Sequence, residues 1–354
     1  MSESGVLVNL PVARLKSFQI VANTFKPVSA SQVRKQLLKE FHSGYEVQQS
    51  THYLVVGKKG KAKAYAALFE QIYQQVSSFY SVRGFDTAKP EFMLVAIVFG
   101  DATEFKEYCG RDQMPWSEDL RGYYSLKSNR VALYEESGAP TPPLEPADPA
   151  ISKSSVRNAP SVPESQDLFQ PPGVSSEFTS LAAVRHSVSG DIANTIVHET
   201  THQVGYNIGI HSRIGETPTW LIEGLATVLE APGVRTRGKA SSAEKINMGR
   251  LNWFNKEYQP RRAPGDLARM ISDDKIFQRE ALDGYSSAWA LTYFMTENPA
   301  RARSFVRYLQ KLHDRDPLQD YSPADRLKDF QTAFGDIAKV EVEFLRAVDR
   351  LENP

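Results

Sequence analysis
Apolar residues recur with two periods along this chain, and the change from one to the other divides it. Residues 1 to 28 alternate apolar and polar in Gly5-Val6-Leu7-Val8-Asn9-Leu10 and in Phe18-Gln19-Ile20-Val21, which predicts short strands. Ser29-Ala30-Ser31 is a polar start for a helix with Val33, Leu37, Leu38 and Phe41 on its apolar face. Tyr53-Leu54-Val55-Val56-Gly57 and Phe92-Met93-Leu94-Val95-Ala96-Ile97-Val98-Phe99 are continuous apolar runs, the pattern of buried strands. Between them, Tyr65, Leu68, Phe69, Ile72, Tyr73 and Val76 recur at the 3.6-residue period and predict a helix from about Lys61 to Tyr80. Asp101-Ala102-Thr103-Glu104 reads as a capping box opening a short helix, with Cys109 a packed residue near its end. Gly122 to Leu126 and Arg130 to Tyr134, around Lys127-Ser128-Asn129, predict a β-hairpin. At a sheet edge it could pair with an extended peptide, unless that edge is covered.

The character then changes. Prolines at 140, 142, 143, 146, 149, 160, 163, 171 and 172, among Ser, Ala and Glu, forbid helix or central strand and predict a disordered insertion over 136–178. From about Thr179 the periodicity is almost all helical. Thr217-Pro218 reads as a cap followed by proline in the first turn of a helix that stops at Pro232-Gly233. Further helical segments cover about 241–257, 284–296, 300–313, 323–334 and 336–350. The organisation expected is therefore an α/β region over 1–135, the insertion over 136–178 and a helical region over 179–354. The fold class is α+β: a small N-terminal mixed β-sheet with helices, then a mostly helical half.

Composition narrows the chemistry. Lys+Arg and Asp+Glu both number 42, so there is no basic field to draw nucleic acid. Cys109 is the single cysteine, which excludes an intramolecular disulfide framework and a thiolate metal cluster. Any zinc must be held by His and carboxylate. No stretch reaches the length of an apolar membrane span, and Met1 to Leu10 lacks a positive region followed by a long apolar run. No signal peptide is legible, which does not fix the compartment.

The chemistry concentrates in His198-Glu199-Thr200-Thr201-His202. On a helix, His198 and His202 leave the same face four residues apart and can meet one cation. Glu199 is rotated about 100° from His198, so it flanks the metal, where a carboxylate can take a proton from water. Ile192, Ile196 and Val197 supply the apolar face before the histidines, Gly190-Asp191 a start signal, and Gly205 and Gly209 candidate stops. The plain alternative is a pair of satisfied core histidines.

These residues, with Pro218-Thr219-Trp220-Leu221-Ile222-Glu223-Gly224-Leu225-Ala226, Tyr285-Ser286-Ser287-Ala288-Trp289 and Phe334-Gly335 before a last amphipathic helix, carry a resemblance. Together they resemble the peptidase-MA-like bacterial family of unknown function within the gluzincin metallopeptidases. The resemblance implies a zinc ion held by His198, His202 and Glu223 in a cleft between the two halves. It further implies Glu199 as general base, Tyr285 as the group steadying the transition state, and a peptide or protein substrate. An endopeptidase is preferred to an aminopeptidase, because no motif for gripping a free amino terminus is present. Gluzincins often carry an acidic residue shortly after the third ligand to orient a histidine; one turn beyond Glu223 stands Thr227, so that role is unassigned. A rival third ligand is His211, because His198 to Gly205 also begins the metzincin pattern, although its histidine position holds Ile208. The rival function is a non-catalytic binding or scaffolding protein on a degenerate peptidase fold. Oligomeric state is not legible.

Overall fold
The computed structural model describes residues 1–8, 10, 16, 17, 19, 20, 22–135, 190–236 and 240–352. The proline-rich stretch 136–178 lies outside these residues. The described chain is α+β, a mixed five-stranded sheet followed by helices.

Helix α1 (Ala30–Glu40) starts on a reciprocal capping box between Ser29 and Gln32. Strands β1 (Tyr45–Gln49) and β2 (Tyr53–Lys58) pair antiparallel, α2 (Ala62–Val82) crosses to β3 (Leu94–Phe99), and β3 runs parallel to β2. Helix α3 (Ala102–Asp112) leads to the hairpin β4 (Gly122–Ser125) and β5 (Arg130–Tyr134), with β5 parallel to β3. The order β1-β2-β3-β5-β4 leaves β4 at one edge.

Both sheet faces are covered, which explains the unbroken apolar runs of β2 and β3. Tyr53, Val55, Leu94, Ala96 and Val98 join the larger core with α2 and the C-terminal helices. Leu54, Val56, Val95, Ile97 and Phe99 face the other way, onto Leu37 and Phe41 of α1 and Phe105, Tyr108 and Cys109 of α3. Glu104 does not close the expected box. Asp101 caps α3, and Glu104 turns instead to Tyr45, to Lys58 at 2.9 Å and to His42 at 3.4 Å.

One expectation fails here, and one element was not expected. Among the described residues of 1–28 there is no strand, because the alternating pattern of Gly5 to Leu10 finds no ladder; Leu7 N–H donates one bond to the Lys127 carbonyl at the hairpin turn. Strand β1 was not legible as an apolar run, since only Tyr45 and Val47 of its five residues are buried.

The helical part comprises α4 (Gly190–Asn207), α5 (Thr219–Glu230), α6 (Pro232–Arg235), α7 (Met248–Trp253), α8 (Asp266–Ser272), α9 (Lys275–Arg279), α10 (Ala281–Glu297), α11 (Pro299–His313), α12 (Pro323–Phe334) and α13 (Ile337–Glu352). Helix α4 lies on the sheet: Gln203 Nε2 donates to the carbonyls of Val95 at 3.1 Å and Asn129 at 2.8 Å. It ends at Gly209, where φ is +89°, and the N–H groups of Ile210 and His211 turn back onto the Gly205 carbonyl. The start of α5 is not capped by Thr217. Asp274 reaches in from before α9 to accept the Thr219 N–H at 3.0 Å, and is itself held by the buried Arg326 at 3.1 Å.

Candidate metal centre
Two helices supply the side chains that converge. Helix α4 offers His198, Glu199 and His202, while α5 offers Glu223 and, two turns on, Glu230. Helix α5 seats closely on α10 because Gly224 has no side chain; a Cβ there would stand 2.1 Å from Thr292 Oγ1 and 2.7 Å from the Ala288 carbonyl oxygen. That contact also sets Glu223 against the helix bearing Tyr285. Trp220, one turn before Gly224, is fully buried and stacked on Tyr308 at 6.3 Å, and anchors the start of α5.

Three ligand atoms converge. His202 Nε2 is 3.0 Å from His198 Nε2, His198 Nε2 is 3.1 Å from Glu223 Oε2, and His202 Nε2 is 3.5 Å from Glu223 Oε2. Ligands bonded at about 2.0–2.1 Å to a tetrahedral ion stand roughly 3.3 Å apart, so the triangle has the edge length of one face of such a site. The group could hold a metal ion. His211 is not part of it. That ring is buried at the end of α4, 5.2 Å from the Tyr206 ring, and burial followed by the nearby His202 pushes its pKa down to about 3.

The electrostatics favour a cation at the triangle. Burial alone would depress the His198 imidazole, but its hydrogen bonds to Glu223 and Glu230 outweigh this and hold its pKa well above the ordinary value. Burial acts on Glu223 in the opposite sense to the two histidines, which win and hold its carboxyl below the usual range. The residues that attract a proton to this point also suit a metal ion, and the two compete.

Glu230 has a role that sequence reasoning missed. Its Oε1 accepts His198 Nδ1–H at 2.8 Å, its Oε2 accepts from Asn247 Nδ2 at 2.6 Å, and Arg250 lies 3.7 Å away. With Nδ1–H given to a carboxylate, the neutral His198 ring presents a bare Nε2 to the triangle. The signal was present in the spacing: residues seven apart return to the same helix face after two turns, so Glu230 lies in line with Glu223.

The remaining predicted residues flank the triangle. Glu199 Oε2 accepts the main-chain N–H of Tyr124 on β4 at 2.8 Å. The Tyr285 ring is 6.4 Å from that of His198, with Phe277 at 6.0 Å and the Arg250 guanidinium 5.3 Å from its centre. Burial first, then the Glu223 and Glu199 carboxylates, pushes the Tyr285 phenol up in pKa.

Comparison with known proteins adds a family. The model of a family described as a protein of unknown function, DUF1570, matches residues 192–319, a span that takes in the histidine pair, Glu223, Glu230, Arg250 and Tyr285. No curated protein matches the chain. Among the described residues, no helix is long and apolar enough to cross a membrane.

Proposed function
We propose that the chain is a zinc-dependent hydrolase that cleaves peptide bonds. The observation that carries this reading is the triangle of His198, His202 and Glu223 with a second carboxylate, Glu199, beside it. Three protein ligands of the His, His, Glu type make an open catalytic site, whereas structural zinc is usually closed by four. A zinc ion there supplies the electrophile, polarising a carbonyl and lowering the pKa of water toward 7. Glu199 takes the proton from the attacking water and passes it to the leaving nitrogen. Tyr285, a phenol that is protonated at neutral pH, is the donor for negative charge developing on the carbonyl oxygen. Glu230 fixes the tautomer and direction of His198.

The test combines metal analysis with cleavage of a peptide library. The purified chain should contain one zinc and lose cleavage to a chelator. Glu199→Gln should keep the metal and lose about 100-fold or more in rate. A chain that binds no zinc, or a Glu199→Gln variant as fast as the parent, overturns the reading.

A further inference from the structure
The four-residue spacing on α4 describes two stripes. His198 and His202 form one. Thr195, Glu199, Gln203 and Asn207 form the other, and every member meets the sheet or its hairpin. Thr195 Cγ2 would be 2.9 Å from a Cβ at Gly122, so the glycine lets the helix lie on the strand edge. Gln203 donates to the Asn129 and Val95 carbonyls, and Asn207 exchanges side-chain bonds with Asn129 at 2.8 and 2.9 Å. Glu199, between them, takes the Tyr124 N–H.

That N–H is not a ladder donor. Tyr134 N–H bonds to the Arg121 carbonyl, which sets the phase of the β4–β5 pair. Bonded and non-bonded pairs alternate along an antiparallel ladder, so Tyr124, three residues on, turns its N–H outward from the sheet. An outward donor on an edge strand ordinarily meets water. Here it meets Glu199, a carboxylate of the site that holds no place in the metal triangle.

We infer that the main-chain N–H of Tyr124 is a positioning group for Glu199, fixing one carboxylate oxygen so that the other faces the water it deprotonates. The inference rests on the hydrolase reading for its catalytic consequence, though not for the bond itself. A glutamate has three side-chain torsions, and its helix sets only where the side chain begins. A hydrogen bond to a carboxylate oxygen from a rigid strand removes most of the remaining freedom, which raises the fraction of time the base is in place.

The first arm of the test measures amide hydrogen exchange in the full chain. The Tyr124 amide should be protected despite its edge position. In Glu199→Ala its exchange should accelerate by about 10-fold or more, while Glu199→Gln, which keeps an acceptor, should retain protection. The Tyr123 amide, which faces β5, should not change in either variant. A Tyr124 amide that exchanges as an open edge amide in the parent overturns the inference whether or not the chain hydrolyses anything.

The second arm incorporates the α-hydroxy analogue of tyrosine at position 124, replacing that N–H by an ester oxygen and keeping the phenol side chain. Zinc content should match the parent, and kcat on a peptide the parent cleaves should fall about 10-fold or more with KM unchanged. An unchanged kcat with bound zinc overturns the positioning role. Absence of cleavage by the parent counts against the hydrolase reading, and the exchange arm then decides the inference.

Discussion

Glu230→Gln is the most informative single change, because it alters charge and hydrogen-bond polarity with almost no change of shape. The carboxylate accepts at both oxygens, from His198 Nδ1 at 2.8 Å and from Asn247 Nδ2 at 2.6 Å. A glutamine side chain has one acceptor and one donor group. Whichever way the amide is turned, its NH2 faces either the His198 N–H or the Asn247 NH2. If it faces His198, the ring loses its partner or flips its tautomer, and Nε2 no longer offers a lone pair to the triangle. A hydrogen bond to a charged group contributes about 1.5–3 kcal/mol, which corresponds to roughly 10- to 150-fold in an equilibrium constant. Loss of a carboxylate behind a ligating histidine ordinarily weakens metal binding by about 10–100-fold, so the two estimates agree. The assay is zinc titration against a competing chelator at fixed pH, with the melting profile recorded alongside to separate metal loss from unfolding. A Glu230→Gln variant within about two-fold of parental zinc affinity would refute the reasoning.

Two further outcomes test other parts of the site. Glu223→Ala should weaken zinc binding by on the order of 100-fold or more, judged against the losses seen for residues behind the ligands, while His211→Ala leaves the affinity close to parental; the reverse result would move the third ligand to His211. Gly224→Ala should destabilise the fold by about 1–3 kcal/mol and lower zinc affinity with it, because the new Cβ meets the Ala288 carbonyl and pushes α5 from α10; a parental melting temperature would show that the contact relaxes freely.

What could be read from the sequence follows from the range of each interaction. His198, Glu199 and His202 were legible because a helix converts spacing directly into direction. Helices α1, α2 and α10 to α13 announced themselves through long apolar faces, and β2, β3 and the hairpin through short apolar runs between turn residues. Strand β1 was hidden by three polar side chains in five residues, and α8 and α9 by being seven and five residues long. The cap of α5 was placed on Thr217 because caps are usually local, whereas Asp274 supplies it from 55 residues away. Glu230 was missed for a related reason. One turn after Glu223 stands Thr227, whose hydroxyl only returns to the carbonyls of Glu223 and Gly224; the orienting carboxylate lies a further turn on. Nothing in the sequence alone could show that Glu199 would be met by a strand N–H, since backbone donors carry no letter.

That bond also has a consequence for the order in which a new chain acquires its properties. The contacts that gather the metal triangle and its support close over 4, 25 and 32 residues, all within the helical part. The contact that holds the base spans 75 and needs the finished hairpin of the N-terminal sheet. A closure of that length joins parts that only the finished fold holds side by side. For a chain with the proposed activity, the base is therefore directed, and cutting power arrives, only once sheet and helices have docked.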